Sequence, residues 1–203
     1  MSEDRQNFLQ LPREDQRDAY VVGAEQLGRN ETSLEKDVWV CWVLDALFTC
    51  PDLPALAFKG GTSLSKAYGA IARFSEDIDI TMDCRKLVDD LDPFAPDLSR
   101  KQRDRNSDRL EAAVAEVSVR KVVPHLQARL ATLPAPGGQL RVEDDGEVLV
   151  VEYPTVLAIP EPYYREGVKI EFGGRNMTEP HERHTLTPYW PPSSPTLPSS
   201  RPQ

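Results

Sequence analysis

The chain has 203 residues, of which 39% are hydrophobic and 28% charged, a balance that suits one well-filled core with a soluble surface. It never approaches the roughly 18 consecutive apolar residues of a membrane helix, and its acidic, polar start MSEDRQNFLQ lacks a signal-peptide pattern, so a single-domain cytoplasmic protein is expected. The net charge of −9 argues against general nucleic-acid binding, and Cys41, Cys50 and Cys84 have no metal-like or disulfide-framework spacing, which fits reduced thiols.

The spacing of Ala19, Tyr20, Val22, Gly23 and Leu27 predicts an amphipathic helix from about Pro12 to Leu27, with Gly28 placed to end it. A second helix is predicted from a cap at Thr32 or Ser33 to about Thr49, closed by Pro51 and Pro54. Its middle, Val38 to Leu44, is apolar almost all round and should be deeply buried. Glu35, Lys36 and Asp37, just before that run, read as a charged first turn.

The chemistry gathers in the next stretch, Phe58 to Asp83. Leu56, Ala57 and Phe58 lead into Gly60-Gly61, and Thr62 to Ala72 reads as a helix with Leu64, Ala67, Tyr68 and Ile71 on one face. After a loop over Arg73 to Glu76 the period drops to two, Asp77 and Asp79 alternating with Ile78, Ile80 and Met82 as on a strand that is apolar inward and acidic outward. Gly60, Gly61 and the free N–H groups of the helix start can cradle a phosphate, with Ser63 and Ser65 as extra donors. Two carboxylates about 6 Å apart repel by roughly 3 kcal/mol at an effective dielectric of about 20. A divalent cation relieves this, and hard oxygen ligands suit Mg²⁺ or Mn²⁺, which complete their shells with water and substrate phosphate oxygens. Taken singly, Gly-Gly is ordinarily a tight turn and Asp-Ile-Asp an ordinary solvated strand. Their order and separation are a much rarer coincidence, and they imply phosphoryl or nucleotidyl transfer.

Downstream, Cys84 to Asp97 is a polar connector and Leu98 to Leu130 a long helical stretch with a kink at Pro124. Residues 99 to 130 carry eight basic side chains against four acidic ones. Most of these read as a solvated face, and the Arg-rich start, Arg100 to Arg109, is a candidate guide for RNA or nucleotide phosphate. A loop over Leu133 to Gln139 precedes a hairpin whose strands, Leu140 to Glu143 and Glu147 to Tyr153, flank Asp144-Asp145-Gly146. In the last strand, Val168 to Phe172, Lys169 and Glu171 share one face, and pairing beside Asp77 and Asp79 would make Glu171 a third carboxylate of the site. His181, Glu182 and His184 lack the helical zinc spacing and read as loop residues.

Gly60-Gly61-Thr62-Ser63-Leu64-Ser65-Lys66, followed by Ser75-Glu76-Asp77-Ile78-Asp79-Ile80, resembles the opening of the nucleotidyltransferase superfamily, specifically the AbiEii/AbiGii abortive-infection toxins. Leu34 to Asp37 and Val168 to Gly173 resemble further segments of that group, so the likeness covers about residues 30 to 190. It implies an α/β (α+β) fold with a small mixed sheet flanked by helices. It also implies that Gly60, Gly61, Ser63 and Lys66 hold a nucleoside triphosphate, while Asp77, Asp79 and Glu171 bind Mg²⁺ or Mn²⁺ and activate an acceptor hydroxyl. An RNA end such as that of a tRNA is then a plausible acceptor, and a cognate antitoxin protein a partner. The resemblance further draws Lys36 or Asp37 toward the active site, without a catalytic role. It stops at the tail: residues 188 to 203 are ten-sixteenths Pro and Ser and should be disordered, leaving 1 to 187 as a nucleotidyltransferase-like domain that lacks the family's helical C-terminal portion and is expected to be truncated. The rival readings are a non-catalytic remnant that binds nucleotide or antitoxin, and a small-molecule transferase of aminoglycoside-modifying type.

Overall fold

The computed structural model describes residues 8–69, 77–88, 95, 98–135, 137–158, 167–174 and 182–190. Ile71, the loop 73–76, Pro93, Pro96, His181 and the tail from 191 onward lie outside the described residues.

Helix α1 spans Arg13–Leu27 and ends on Gly28 in the left-handed conformation, whose N–H bonds to Ala24 O, as its sequence predicts. Helix α2, Glu31–Phe48, starts earlier than expected because the Asn30 side chain caps it, accepting from the Thr32 N–H at 2.9 Å. Glu35 to Asp37 therefore stand a full turn inside the helix, and all three are buried. Strand β1, Leu56–Lys59, leads directly into helix α3, Gly60–Lys66, and strand β2 covers Asp77–Met82.

A capping box between Ser99 and Gln102 opens helix α4, Arg100–Val117. The kink expected at Pro124 takes the form of a widened π turn over Ser118–Val122, after which helix α5 runs Val123–Ala131. Proline lacks an N–H and its ring collides with the preceding turn, so the wide turn sets it at the start of the next helix, where neither defect matters. The hairpin forms as predicted: β3, Gln139–Glu143, and β4, Val148–Glu152, flank a tight turn over Asp144–Gly146. Strand β5 is Val168–Gly173.

The result is the mixed α/β architecture expected, a five-stranded sheet in the order β1-β2-β5-β4-β3. Its one parallel pair is β2 with β5, and the other neighbours run antiparallel. Helices α2, α4 and α5 lie on the apolar face, where Ile78, Ile80, Ile170, Leu149 and Val151 meet Val38, Trp42, Val114 and Leu126. Trp39 stacks on Tyr153 at 5.0 Å between ring centroids and so ties α2 to the end of the hairpin. The three cysteines are free thiols. Among the described residues, no helix is long and apolar enough to cross a membrane.

Candidate active site

Alternation on β2 and β5 sends Ile78, Ile80, Val168, Ile170 and Phe172 into the core and leaves Asp77, Asp79, Lys169 and Glu171 half-buried on the opposite face. The parallel register sets Asp79 opposite Glu171 and Asp77 opposite Lys169. On the other side, the antiparallel register sets Lys59 of β1 opposite Asp79. One row of the sheet therefore reads Lys59, Asp79, Glu171, and the row behind it Asp77, Lys169. Val148 and Val150 of β4, both buried, border the patch opposite Glu171 and Lys169.

These groups feel one another. Burial pushes the Asp79 carboxyl above its ordinary value, and the charges of Glu171 and Asp77 push it further against the pull of Lys169. The Lys169 ammonium donates to Glu171 Oε1 at 2.5 Å, and that bond, with Asp77 and Glu143 nearby, holds its pKa above the usual lysine value. No three Asp, Glu, His or Cys side chains among the described residues are gathered at ligating spacing. The donors themselves are all carboxylate oxygens on adjoining strands that repel one another, which is the chemistry a hard divalent cation satisfies.

The Gly-Gly turn is seated on the same patch. Gly60 has φ +73°, and a Cβ there would overlap Asp79 Oδ2, so only glycine permits both the backbone conformation and the close approach. Two residues on, Thr62 Oγ1 donates to the Asp77 carbonyl at 2.5 Å. The start of α3, with its unpaired N–H groups, is thereby brought to the two aspartates. Ser63 is buried in the first turn, and Ser65 Oγ is used inside the helix, donating to Thr62 O at 3.1 Å.

Lys66, expected among the triphosphate ligands, turns inward in this structure: its side chain is 3% exposed and its ammonium is paired with the fully buried carboxylate of Asp37. One expectation for this helix is corrected: the predicted apolar face is not the buried one. Leu64 and Tyr68 are about half exposed, while Thr62, Ser63 and Ser65 face the protein. In a helix of seven residues the inward side is decided by where the strand-to-helix turn lands on β2.

Glu35 and Asp37, read as part of a charged first turn, instead anchor distant segments. Glu35 accepts from Thr155 Oγ1 at 2.6 Å and from the Val156 N–H at 2.8 Å, and Asp37 accepts from the Tyr189 N–H at 2.6 Å as well as from Lys66. Pro188, placed by composition in the tail, is buried, and Trp190 lies against Gly23, where a Cβ would stand 2.5 Å from the indole. His184 is an irregular-segment residue as expected, 3.3 Å from Glu182 and 4.6 Å from the Tyr68 ring centroid. Sequence reasoning did not single out Lys59 or Lys169 as site residues. The alternation Lys169-Ile170-Glu171 carries the signal for Lys169; Lys59 is set beside Asp79 by register alone.

The family model described as nucleotidyl transferase AbiEii toxin, type IV toxin–antitoxin system, matches residues 42–199 of this chain. The match takes in the Gly-Gly turn, both aspartates and Glu171, begins after Asp37, and runs into the Pro- and Ser-rich stretch. No curated protein and no solved structure gives a match.

Proposed function

The chain belongs to the AbiEii nucleotidyl transferase toxin family, and on that premise we propose that it moves a nucleoside monophosphate from a nucleoside triphosphate onto an acceptor hydroxyl, an RNA end such as that of a tRNA, with pyrophosphate as the leaving group, as the toxin partner of an antitoxin. The observation that carries the reading is the single patch formed by Asp77, Asp79 and Glu171 with Gly60 seated against Asp79. Asp77, Asp79 and Glu171 would hold Mg²⁺ or Mn²⁺, which when bound supplies charge neutralisation at the reacting phosphate and acidifies the attacking hydroxyl.

The chain's own groups divide the rest of the work. The backbone N–H groups at the start of α3, those of Gly60, Gly61 and Ser63, would meet the triphosphate, while the Ser63 side chain itself is buried. Lys59 and Lys169 flank the carboxylates and exchange onto phosphate oxygens as substrate enters. Glu171, once released by Lys169, accepts the proton of the attacking hydroxyl. Arg100, Lys101, Arg103, Arg105 and Arg109 are all exposed on α4. That helix packs on the apolar face of the sheet, with Val114 against Gly174 at the end of β5, and Arg109 stands five residues, about 7.5 Å of helix rise, before that contact. The run of exposed basic side chains itself is what supports an RNA acceptor.

The test is incubation of the purified chain with each labelled nucleoside triphosphate, Mg²⁺ and total tRNA, beside Asp77→Ala/Asp79→Ala. Label on RNA with the unmutated chain alone is the expected result; nucleotide binding with no transfer to RNA or to a screen of aminoglycosides sinks the transferase reading. Arg103→Glu/Arg105→Glu should weaken RNA binding, and unchanged affinity removes α4 from the acceptor path. The engagement of Glu171 by Lys169 favours one second reading, a nucleotide-binding chain without turnover, and the same experiment separates it.

A further inference from the structure

An isolated carboxylate buried as fully as that of Asp37 is costly, so its partners identify what it holds. They come from two remote parts of the chain. Lys66, the last residue of α3, supplies an ammonium, and the Tyr189 backbone supplies an N–H. The Tyr189 ring then covers the assembly, lying 4.2 Å from Lys66 Nζ and 4.4 Å from the Arg29 guanidinium. On either side of Tyr189 the same segment is fastened again, through Trp190 on Gly23 and through His184 on Tyr68 just beyond α3. Helix α3 is thus held at both ends. Its start is fixed to the aspartate strand by Thr62 and Gly60, and its end is fixed to α2 by Asp37.

We propose that Asp37 is a positioning residue for the transfer reaction: acting through Lys66, with the segment 184–190 as a strap, it sets where α3 stands and therefore how the Gly60–Gly61 turn meets Asp79. This rests on the nucleotidyl-transfer reading above. Asp37 is not catalytic, because the seven residues of α3 separate Lys66 from Gly60 by about 9 Å of helix rise. Nor does stability alone explain the pair, since a buried ion pair is often no more stabilising than an apolar pair of the same volume. What such a pair adds is direction: an ammonium bound to one carboxylate has a defined place, whereas two apolar side chains slide.

The proposal is tested on the full chain with Asp37→Asn/Lys66→Met, which keeps volume and removes both charges, and with Asp37→Glu, which keeps the pair and lengthens it. Melting temperature, the KM for nucleoside triphosphate, the KM for tRNA and kcat are read for each. The double variant is expected to fold with a KM for nucleotide raised about tenfold and a KM for tRNA unchanged, and Asp37→Glu to raise the nucleotide KM about threefold. A purely structural Asp37 would lower the active fraction, and with it kcat, while both KM values stayed put. That result in either variant overturns the proposal. Should the unmutated chain neither bind nucleotide nor transfer it, the transferase reading falls and takes this inference with it. Transfer by the unmutated chain with a normal nucleotide KM in either variant overturns this inference alone.

Discussion

Glu35 and Asp37 are buried and matched donor for donor, whereas Asp77, Asp79 and Glu171 stand half-exposed on the outer face of the sheet, with one another as neighbours beside Lys59 and Lys169. The residue types are the same and the treatment is opposite. Burial pushes the Asp37 carboxyl up, and Lys66, the Tyr189 amide and Arg29 pull against it. Burial pushes Asp79 up as well, but there the next largest effects, from Glu171 and Asp77, push in the same direction. Acids that serve the fold arrive with their partners, because an unpaired buried charge would be too costly to keep. Acids left pressing on one another work against the fold, and such groups concentrate where a ligand completes them.

That contrast can be broken from either side. The largest effect is expected on the outer cluster: Asp77→Ala/Asp79→Ala should lower label transfer by about 10³-fold or more while leaving the thermal melt unchanged or slightly raised. A melt that drops sharply would mean that these acids serve the fold after all. Next comes Asp37→Ala, which strands the Lys66 ammonium and should cost about 3 kcal/mol of stability by denaturant unfolding, most of it recovered by adding Lys66→Met. Glu35→Gln should cost less, about 1–2 kcal/mol, because one acceptor is lost while shape and part of the bonding remain; transfer per folded molecule should not change.

The smallest effect sharpens the comparison through pH. With the Asp79 carboxyl raised above its unfolded value, the folded chain holds that proton more tightly than the unfolded chain. Stability from this group is therefore lost as pH rises through the window between the unfolded and folded values. Asp79→Asn cannot ionise and should raise the melting temperature at neutral pH by about one to two degrees while removing transfer.

Much of this arrangement was legible beforehand. Period two over Asp77–Met82 and Val168–Gly173 announced both strands and which residues they turn outward, and the Gly-Gly turn marked the place where a backbone comes close to something else. Gly28, Asn30 and Ser99 each end or begin a helix through bonds within a few residues, although Asn30 was passed over in favour of the equally good cap at Thr32 or Ser33. The inward turn of Lys66 was not legible, because nothing in Gly60–Lys66 indicates which side of so short a helix faces inward. Leu64 and Tyr68, the apolar residues that spacing would bury, are about half exposed.

Local order thus came from the sequence alone: the alternation that exposes Asp77, Asp79 and Glu171, the apolar run that buries α2, and the glycine at the turn are all set by bonds and periodicities spanning a few residues. The tertiary structure alone decided their company. Asp79 gained Glu171 and Lys59 as neighbours through strand register, Lys66 was given to Asp37 across 29 residues and the Tyr189 amide across 152, and Glu35 closed on Thr155 across 120. A charge is indifferent to how far along the chain its partner lies. Its pairing is chosen by burial, which makes an unmatched charge intolerable only once the core has closed around it.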